Sequence, residues 1–319
     1  MEVNVSQNNK SQLFIYGKNI QSNFYRLVLA QVLVCVFLYI NLVMLFSFFK
    51  KEAFRQDTRY ILFAHMLLVD TLVLIVTDLG MLLIYFCILV PGGYCILFCT
   101  FMETLTSYTP LTLTTMCLER YIAICIPLRH AEISTVQRTL FGILFIWIFG
   151  FILCSTDFFT VLATQPESFY LESYICSYEI MLIYVWQSDL RSYICLVVFI
   201  SMFLFIALTY VKIMHAARAA FVEKTSASKA RNTVVLHAFQ LVLSLVSLIC
   251  PFVEKFIMQI NFQIFSDVRY FNFLSFTLFP RCLSPLIYGL RDEKFCSVLQ
   301  FYIICGMHKP VSKIRDVEF

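Results

Sequence analysis

The stretch CILFCTFMETLTSYTPLTLTTMCLER, from Cys95 to Arg120, decides the fold of this chain. It is mostly apolar, and Arg120 lies 25 positions after Cys95. An α-helix of that length measures about 37 Å, which is comparable to a bilayer with part of its headgroups. The stretch therefore predicts a membrane-spanning helix with Cys95 at its outer end and Arg120 at its inner end.

The composition of the whole chain also indicates a membrane protein. Of its 319 residues, 60% are hydrophobic, 17% are aromatic and only 14% are charged, whereas soluble domains carry roughly 25% charged residues. The net charge of +4 is small, and the basic residues lie in short clusters beside apolar runs. This pattern favours membrane orientation and argues against a nucleic-acid-binding surface.

Seven stretches are long and apolar enough to span a bilayer. They are Phe24–Phe49, Tyr60–Leu89, Cys95–Ile126, Gln137–Phe159, Ser188–His215, Thr233–Phe256 and Val268–Leu290. An eighth, Asp292–Ile304, is amphipathic and too short to span, which suits an interfacial helix. The sequence thus predicts an all-α membrane protein. It has an extracellular tail (1–23), a seven-transmembrane helix bundle (24–290), and a cytoplasmic segment with a short eighth helix (291–319).

The basic residues predict the orientation of the bundle. With the N-terminus outside, only six of the 24 lysines and arginines face outward: Lys10, Lys18, Arg26, Arg191, Lys255 and Arg269. Arg281 falls inside the membrane, and the others face inward, as the positive-inside rule requires. Two glycosylation sequons, at Asn4 and Asn9, lie in the predicted external tail. We therefore expect a multi-pass plasma-membrane glycoprotein with an extracellular N-terminus.

One disulfide bond is expected at the outer end. Cys95 lies there, and Cys176 is the only cysteine in the long connection Thr160–Gln187. Because the cell exterior is oxidising, these two cysteines can pair and draw the connection over the bundle. The alternative is that both remain unpaired thiols.

Motifs along the chain resemble the odorant receptors of the rhodopsin-like (class A) G-protein-coupled receptors. The strongest match is Glu119-Arg120-Tyr121 with the residues that follow it to His130. Single residues and short motifs in the other helices match as well: Asn41, Asp70, Trp147, Tyr210, the segment 229–233, and Pro285 to Asp292 with Tyr288. The segment 280–284, with Arg281, is most similar to fish odorant receptors. The resemblance covers all seven helices.

The resemblance implies roles in activation and G-protein coupling for several of these residues. Arg120 would be held by Glu119 in the inactive state and move toward Tyr210 on activation. The implied set comprises Asp70, Glu119, Arg120, Tyr121, Tyr210, Arg281, Pro285 and Tyr288. In many relatives the aspartate at the position of Asp70 helps to bind sodium.

Arg281 and Asp70 lie at comparable depths in the predicted bundle. A buried charge is costly unless it is paired. We hypothesise that Arg281 pairs with Asp70 and takes the place of sodium. The alternative is that Arg281 faces backbone carbonyls.

A ligand cavity is expected among the outer halves of helices three, five, six and seven. We chose the candidate lining residues in three ways. Some lie on successive turns inward from Cys95, some lie beside Cys176, and the others lie at the outer ends of helices six and seven. The candidates are Cys99, Met102, Glu103, Thr106, Ser107, Tyr178, Glu179, Phe252, Lys255, Phe256, Tyr270, Phe273 and Phe276. Most of them are apolar or aromatic, as in ligand sites generally.

Glu103 is the most distinctive candidate, because it lies about 12 Å below Cys95 along the helix. It either selects a cationic group or hydrogen-bonds as a neutral acid; the alternative is an internal pair with Arg191 or Lys255. Asp157 and Glu254 are expected to be solvated near the outer boundary.

These observations favour an odorant receptor that binds a small-molecule odorant and activates a heterotrimeric G protein, by family resemblance a stimulatory olfactory-type one. The alternative function is a non-olfactory rhodopsin-like receptor for an amine or peptide. Nothing in the sequence indicates an enzyme, catalytic residues, a metal site, a cofactor or nucleic-acid binding. Membrane lipid is an expected partner, and homo-oligomerisation is left open.

Overall fold

The structure is a computed structural model of the chain. It describes residues 24–219 and residues 239–283, except for 241, 248, 251–252, 255 and 259. The predicted eighth helix, the sequons at Asn4 and Asn9, and Phe252, Lys255, Pro285 and Tyr288 lie outside the described residues.

The described chain is almost entirely helical. Its long helices, in chain order, are α1 (Phe24–Lys50), α2 (Thr58–Tyr85), α3 (Gly92–Cys125), α4 (Val136–Thr164) and α5 (Val185–Ala219). The label α6 is used for the described helical residues between 239 and 260. α7 begins as Phe262–Asn272, continues as a π-helical stretch at Phe273–Leu278, and is helical through residue 283.

Short elements connect these helices. One-turn helices occupy Glu52–Gln56, Pro127–Arg129, His130–Ile133, Glu167–Leu171 and Tyr178–Met181. Strands β1 (Leu89–Pro91) and β2 (Ser173–Ile175) pair antiparallel. The sequence predicted neither strand, since three-residue strands carry too little alternation to be recognised.

Four helical segments among the described residues are long and apolar enough to cross a membrane: α1, α2, α4 and residues 189–215 of α5. α3 counts as a fifth when it is taken together with Pro127–Ile133, which bends away by 111°. The bend follows from Pro127, because a proline disfavours helical backbone in the residue before it. Ile126 accordingly has φ −133° and ψ 52°.

α3 carries many hydroxyl side chains, yet it runs through the interior of the bundle. Its hydroxyls donate to carbonyl oxygens one turn earlier in the same helix, for example Thr100 to Ile96 at 2.8 Å and Thr104 to Thr100 at 2.7 Å. These bonds satisfy the polar groups without water. α3 can therefore be less apolar than its neighbours and still be buried.

α3 and α4 approach each other closely at Gly150. A Cβ atom there would lie 2.5 Å from the ring of Tyr108. The Tyr108 ring packs 4.8 Å from the Trp147 ring, and its hydroxyl donates to the Trp147 carbonyl at 3.1 Å. The Trp147 indole in turn donates to His65 of α2 at 2.8 Å. The small residue thus brings three helices into one hydrogen-bonded contact.

Apolar packing follows the length of α3. At the Arg120 end, Leu113 and Met116 of α3 pack in one buried cluster with Met44 and Leu67. At the Cys95 end, Cys95 and Cys99 pack with Cys176 and Met181 of the connection between α4 and α5. The second cluster forms the roof under which the candidate site lies.

Candidate ligand-binding site

A disulfide bond closes the Cys95 end of the bundle. It joins Cys95, near the start of α3, to Cys176, directly after β2, which confirms the expected pairing. The β1–β2 pairing holds the same connection a second time, with Leu89 opposite Ile175. Cys99 Sγ lies 3.9 Å from Cys176 Sγ. Because Cys95 and Cys176 are bonded to each other, only Cys99 among these three retains a thiol that a metal could bind.

A cavity of ≈ 300 Å³ lies beneath this connection, a volume within the range of small-molecule sites. It is bounded by residues of α1, α2, α3, α5, α6 and α7 together with Cys176, Ser177 and Tyr178. Much of the wall is apolar, including Met81, Phe98, Met102 and Phe273. The charged side chains on the wall, Arg26, Glu103, Arg191, Glu254 and Arg269, belong to three ion-pair groups.

The first group is centred on Arg191 of α5. Its guanidinium forms an ion pair with Glu103 of α3 and a second one, 3.1 Å long, with Asp157 Oδ2 of α4. It lies 4.2 Å from the centroid of the Tyr178 ring and donates to the Tyr178 hydroxyl, which donates to Asp157 at 3.2 Å. Burial raises the pKa of the Tyr178 phenol, so it stays a donor.

Within this group the second carboxylate oxygen of Glu103, Oε2, is buried and has no hydrogen-bond partner among the described residues. Two carboxylates, Glu103 and Asp157, share the single guanidinium of Arg191. The group therefore has one carboxylate more than its cation can neutralise.

The second group is centred on Arg269 of α7 and repeats the same arrangement. Arg269 Nε donates to Glu254 Oε2 of α6 at 2.9 Å, and Nη2 pairs with Glu179 of the connection between α4 and α5. Asn272 Nδ2 donates to the other Glu254 oxygen at 2.8 Å. Burial acts to raise the pKa of Glu179, but the charge of Arg269 more than offsets it, so this pKa is lowered. These contacts tie the connection to α6 and α7.

The third group joins α1 to α7 at the same end. Arg26 Nη1 lies 2.6 Å from Asp267 Oδ1, and the Tyr270 hydroxyl donates to the Arg26 carbonyl at 3.0 Å.

Deeper in the bundle, Asp70 and Arg281 are both buried. Their relative exposures are 0% and 2%, and Arg281 Nε lies 3.9 Å from Asp70 Oδ1. Thr109 of α3 donates to the same oxygen at 3.2 Å. Arg281 Nη1 donates to the Thr277 carbonyl in the π-helical stretch. Arg281 thus contacts both Asp70 and a backbone carbonyl. The two arrangements that the sequence offered as alternatives for Arg281 are therefore both present.

At the Arg120 end, the Glu119 carboxylate lies close to two basic side chains. Arg120 Nε lies 4.0 Å from Glu119 Oε2, and His130 Nε2 lies 3.3 Å from Glu119 Oε1. His130 follows the bend after α3, and the bend brings its side chain back against Glu119 of α3. Tyr121 and Tyr210 are partly buried on α3 and α5.

Comparison with known proteins decides the family. A family model described as the 7 transmembrane receptor (rhodopsin family) matches residues 40–288. This chain belongs to the rhodopsin family of seven-transmembrane receptors. Odorant receptor 131-2 of Danio rerio is 40% identical over 90% of this chain and 88% of its own length. Olfactory receptor 4Q3 of Homo sapiens is 26% identical over 66% of this chain and 67% of its own. The receptor is therefore a class A odorant receptor with an all-α seven-transmembrane bundle.

The cavity of this receptor includes many of the residues that the sequence proposed for ligand binding. Those on its wall are Cys99, Met102, Glu103, Thr106, Tyr178, Tyr270 and Phe273. Ser107 lines a smaller neighbouring cavity with Glu103, and Glu179 reaches the wall through Arg269. Phe256 is not on the wall and is 65% exposed. The reason is helical spacing: Cys250 and Glu254 line the cavity one turn apart, and residue 256 is about 200° around the helix from 254.

Several wall residues were missed by sequence reasoning. Asn272 was not proposed, and Arg269 was assigned only to the outer surface. The expectation that Asp157 and Glu254 are solvated is wrong, because both are buried, at 5% and 7% exposure. Each is buried beside an arginine with which it forms an ion pair. The sequence did contain a signal for this burial: an acidic residue near the end of one helix and an arginine on another helix can form a buried ion pair.

Proposed function

We propose that this receptor detects a small odorant at the cell surface and signals through a stimulatory olfactory-type G protein that raises cyclic AMP. The observation that carries the proposal is the cavity of ≈ 300 Å³ beneath a disulfide-anchored connection, in a chain 40% identical to a protein named an odorant receptor. The non-olfactory alternative is not favoured, because the relatives are odorant and olfactory receptors.

The cavity has the features of a small-molecule site. It combines apolar walls with a few polar groups, and such sites bury apolar bodies while polar groups orient them. We assign ligand contacts to Met102, Glu103, Thr106 and Phe273, which line it from α3 and α7. The disulfide restrains the roof, so part of the entropic cost of ordering the site is met before the ligand arrives.

The opposite end of α3 is the proposed coupling surface. Glu119 there contacts Arg120 and His130, and we propose that these contacts hold Arg120 until activation releases it toward Tyr210. Asp70 and Arg281 lie between the two ends, so they are proposed to transmit the change. Pro285 and Tyr288 complete the proposed set from sequence alone.

The proposed topology places the Cys95 end outside the cell and the Arg120 end inside. Two features support it: the disulfide, which forms in an oxidising compartment, and the excess of basic residues on the Arg120 side. The corresponding division is an extracellular tail at 1–23, a bundle at 24–290 and a cytoplasmic segment at 291–319.

The test is a cyclic AMP assay in cells that co-express the receptor with a stimulatory G protein. A panel of amines, carboxylates, alcohols and aldehydes is applied, and surface expression is measured with an N-terminal epitope on unpermeabilised cells. We expect at least one class to raise cyclic AMP, and Arg120→Ala to abolish that response at unchanged surface expression.

Arg138→Ala is the matched control, because Arg138 is an exposed arginine at the same end that donates to the Glu132 carbonyl at 2.6 Å. It should leave the response intact. Equal responses of the Arg120→Ala variant and the unmodified receptor would contradict the proposed coupling role.

A further inference from the structure

The pair between Glu103 and Arg191 is a partition between two cavities. Both residues line the cavity of ≈ 300 Å³ and also a second cavity of ≈ 60 Å³ on the side of α4 and α5. The second cavity is bounded by Ser107, Cys154 and Asp157 among others. Breaking the pair would therefore change the distribution of charge on the wall of the larger cavity.

Arg191 does not depend on Glu103 alone. It pairs with Asp157 at 3.1 Å, donates to the Tyr178 hydroxyl, and lies 4.2 Å from the Tyr178 ring centroid. If Arg191 lost Glu103, these contacts would still compensate its charge. The usual cost of leaving a buried charge alone is thereby reduced on the arginine side.

Glu103, in contrast to Arg191, has few partners. Arg191 is its ion-pair partner among the described residues, and its Oε2 atom is buried without a hydrogen-bond partner there. Glu103 lines the cavity but its Oε2 atom is buried, so a ligand reaches the carboxylate by displacing the arginine. A carboxylate released in this way can accept hydrogen bonds from a charged donor. The neighbouring wall residues Phe98, Met102 and Phe273 are apolar, so they suit an uncharged body attached to that donor.

We propose that the ligand of this receptor is a small amine whose ammonium group displaces Arg191 from Glu103, while Asp157 and Tyr178 retain the arginine. This inference rests on the proposed function, since it names the ligand class of the proposed site. Binding exchanges one ion pair for another and adds a cation to a group with one carboxylate in excess. A neutral or anionic ligand gains nothing from that exchange.

The test compares matched ligands by two readouts. The probes are 2-phenylethylamine and the linear primary amines from butylamine to decylamine, with 2-phenylethanol, the linear alcohols and the linear carboxylates as isosteres. Ligand binding is read as the rise in melting temperature of the purified full-length receptor in detergent, which does not require coupling. Signalling is read as the cyclic AMP dose–response.

Three variants distinguish the exchange from general charge attraction. Glu103→Gln should weaken amines roughly 10- to 100-fold, the range for a charged hydrogen bond. Asp157→Asn keeps the pair between Glu103 and Arg191 but removes the retaining partner, so amines should weaken roughly tenfold. Arg191→Gln removes the competitor and should strengthen amines. Glu132→Gln, which neutralises an exposed carboxylate that lies at the Arg120 end and lines neither cavity, should leave amine binding unchanged.

The outcomes separate this inference from the proposed function. If amines stabilise the purified receptor and Glu103→Gln removes the effect, the inference holds even without cyclic AMP, and only the coupling proposal fails. If alcohols or carboxylates act and no amine does, the inference is overturned while the receptor function stands. Equal amine binding by Asp157→Asn and the unmodified receptor would overturn the exchange of partners.

Discussion

Gly150→Ala should loosen the packing of α3 against α4. The added Cβ would lie 2.5 Å and 2.8 Å from two ring atoms of Tyr108 and 3.0 Å from Ser107 Oγ. The ring cannot simply turn away, because it packs 4.8 Å from Trp147 and its hydroxyl donates to the Trp147 carbonyl. The helices must therefore separate, at a cost of about 1–3 kcal/mol for an overpacked site.

Gly142→Ala provides the matched control on the same helix. A Cβ at Gly142 meets nothing within 4 Å, so this variant only gains helix propensity, about 1 kcal/mol at most. Gly150→Ala gains the same term, which cancels in the comparison. The expected difference in stability between the two variants is thus the overpacking cost of about 1–3 kcal/mol.

The assay is thermal unfolding of purified receptor in detergent, followed by intrinsic fluorescence. The chain has two tryptophans, and Trp147 lies at the affected contact. With about 2–4 °C of melting temperature per kcal/mol for a large domain, Gly150→Ala should melt several degrees below Gly142→Ala. Indistinguishable melting temperatures would refute the reasoning that Gly150 sets the distance between the helices.

Three further predictions concern charge and backbone strain. Arg269 holds the pKa of Glu179 below its ordinary value, about 4.3, so this stabilisation is fully present above that pH and is lost as the pH falls through the folded-state pKa. Glu179→Gln should therefore flatten the acid-side fall in melting temperature, and an unchanged slope would contradict this. Asp70→Asn or Arg281→Gln alone leaves a buried charge without its partner, at about 3–5 kcal/mol, and should lower surface expression. The double variant should recover it, whereas a double variant as poor as either single one would argue against coupling. Cys87 has φ 51°, a left-handed backbone conformation that costs a non-glycine residue about 1 kcal/mol. Cys87→Gly should therefore raise the melting temperature. A lower melting temperature would show that the contacts of the cysteine side chain outweigh this strain.

The sequence predicted the spans because a bilayer imposes a length and a polarity on each segment. Its boundaries were least accurate where a helix continues past the apolar core. α4 runs to Thr164 and not to Phe159, and α7 begins at Phe262 and not at Val268. Residues at such ends are amphipathic, and whether they remain helical depends on what packs beside them.

The candidate site was predicted less completely than the fold. Glu103 was identified from depth alone, but the sequence left its partner open between Arg191 and Lys255, and Arg191 forms the pair. Asp157 and Glu254 were misassigned, because position near a helix end does not reveal which way the helix is turned. Burial depends on that rotation.

The sequence by itself determined the membrane class, the number and order of the spans, and the charged residues available at the Cys95 end. Local composition and spacing are sufficient for these, since each follows from one segment and its solvent. Only the tertiary structure decided that Arg191 and Arg269 would each be shared by two carboxylates around one cavity. Those pairs join residues on separate helices, so they exist only once helix rotation and packing have set the distances between them.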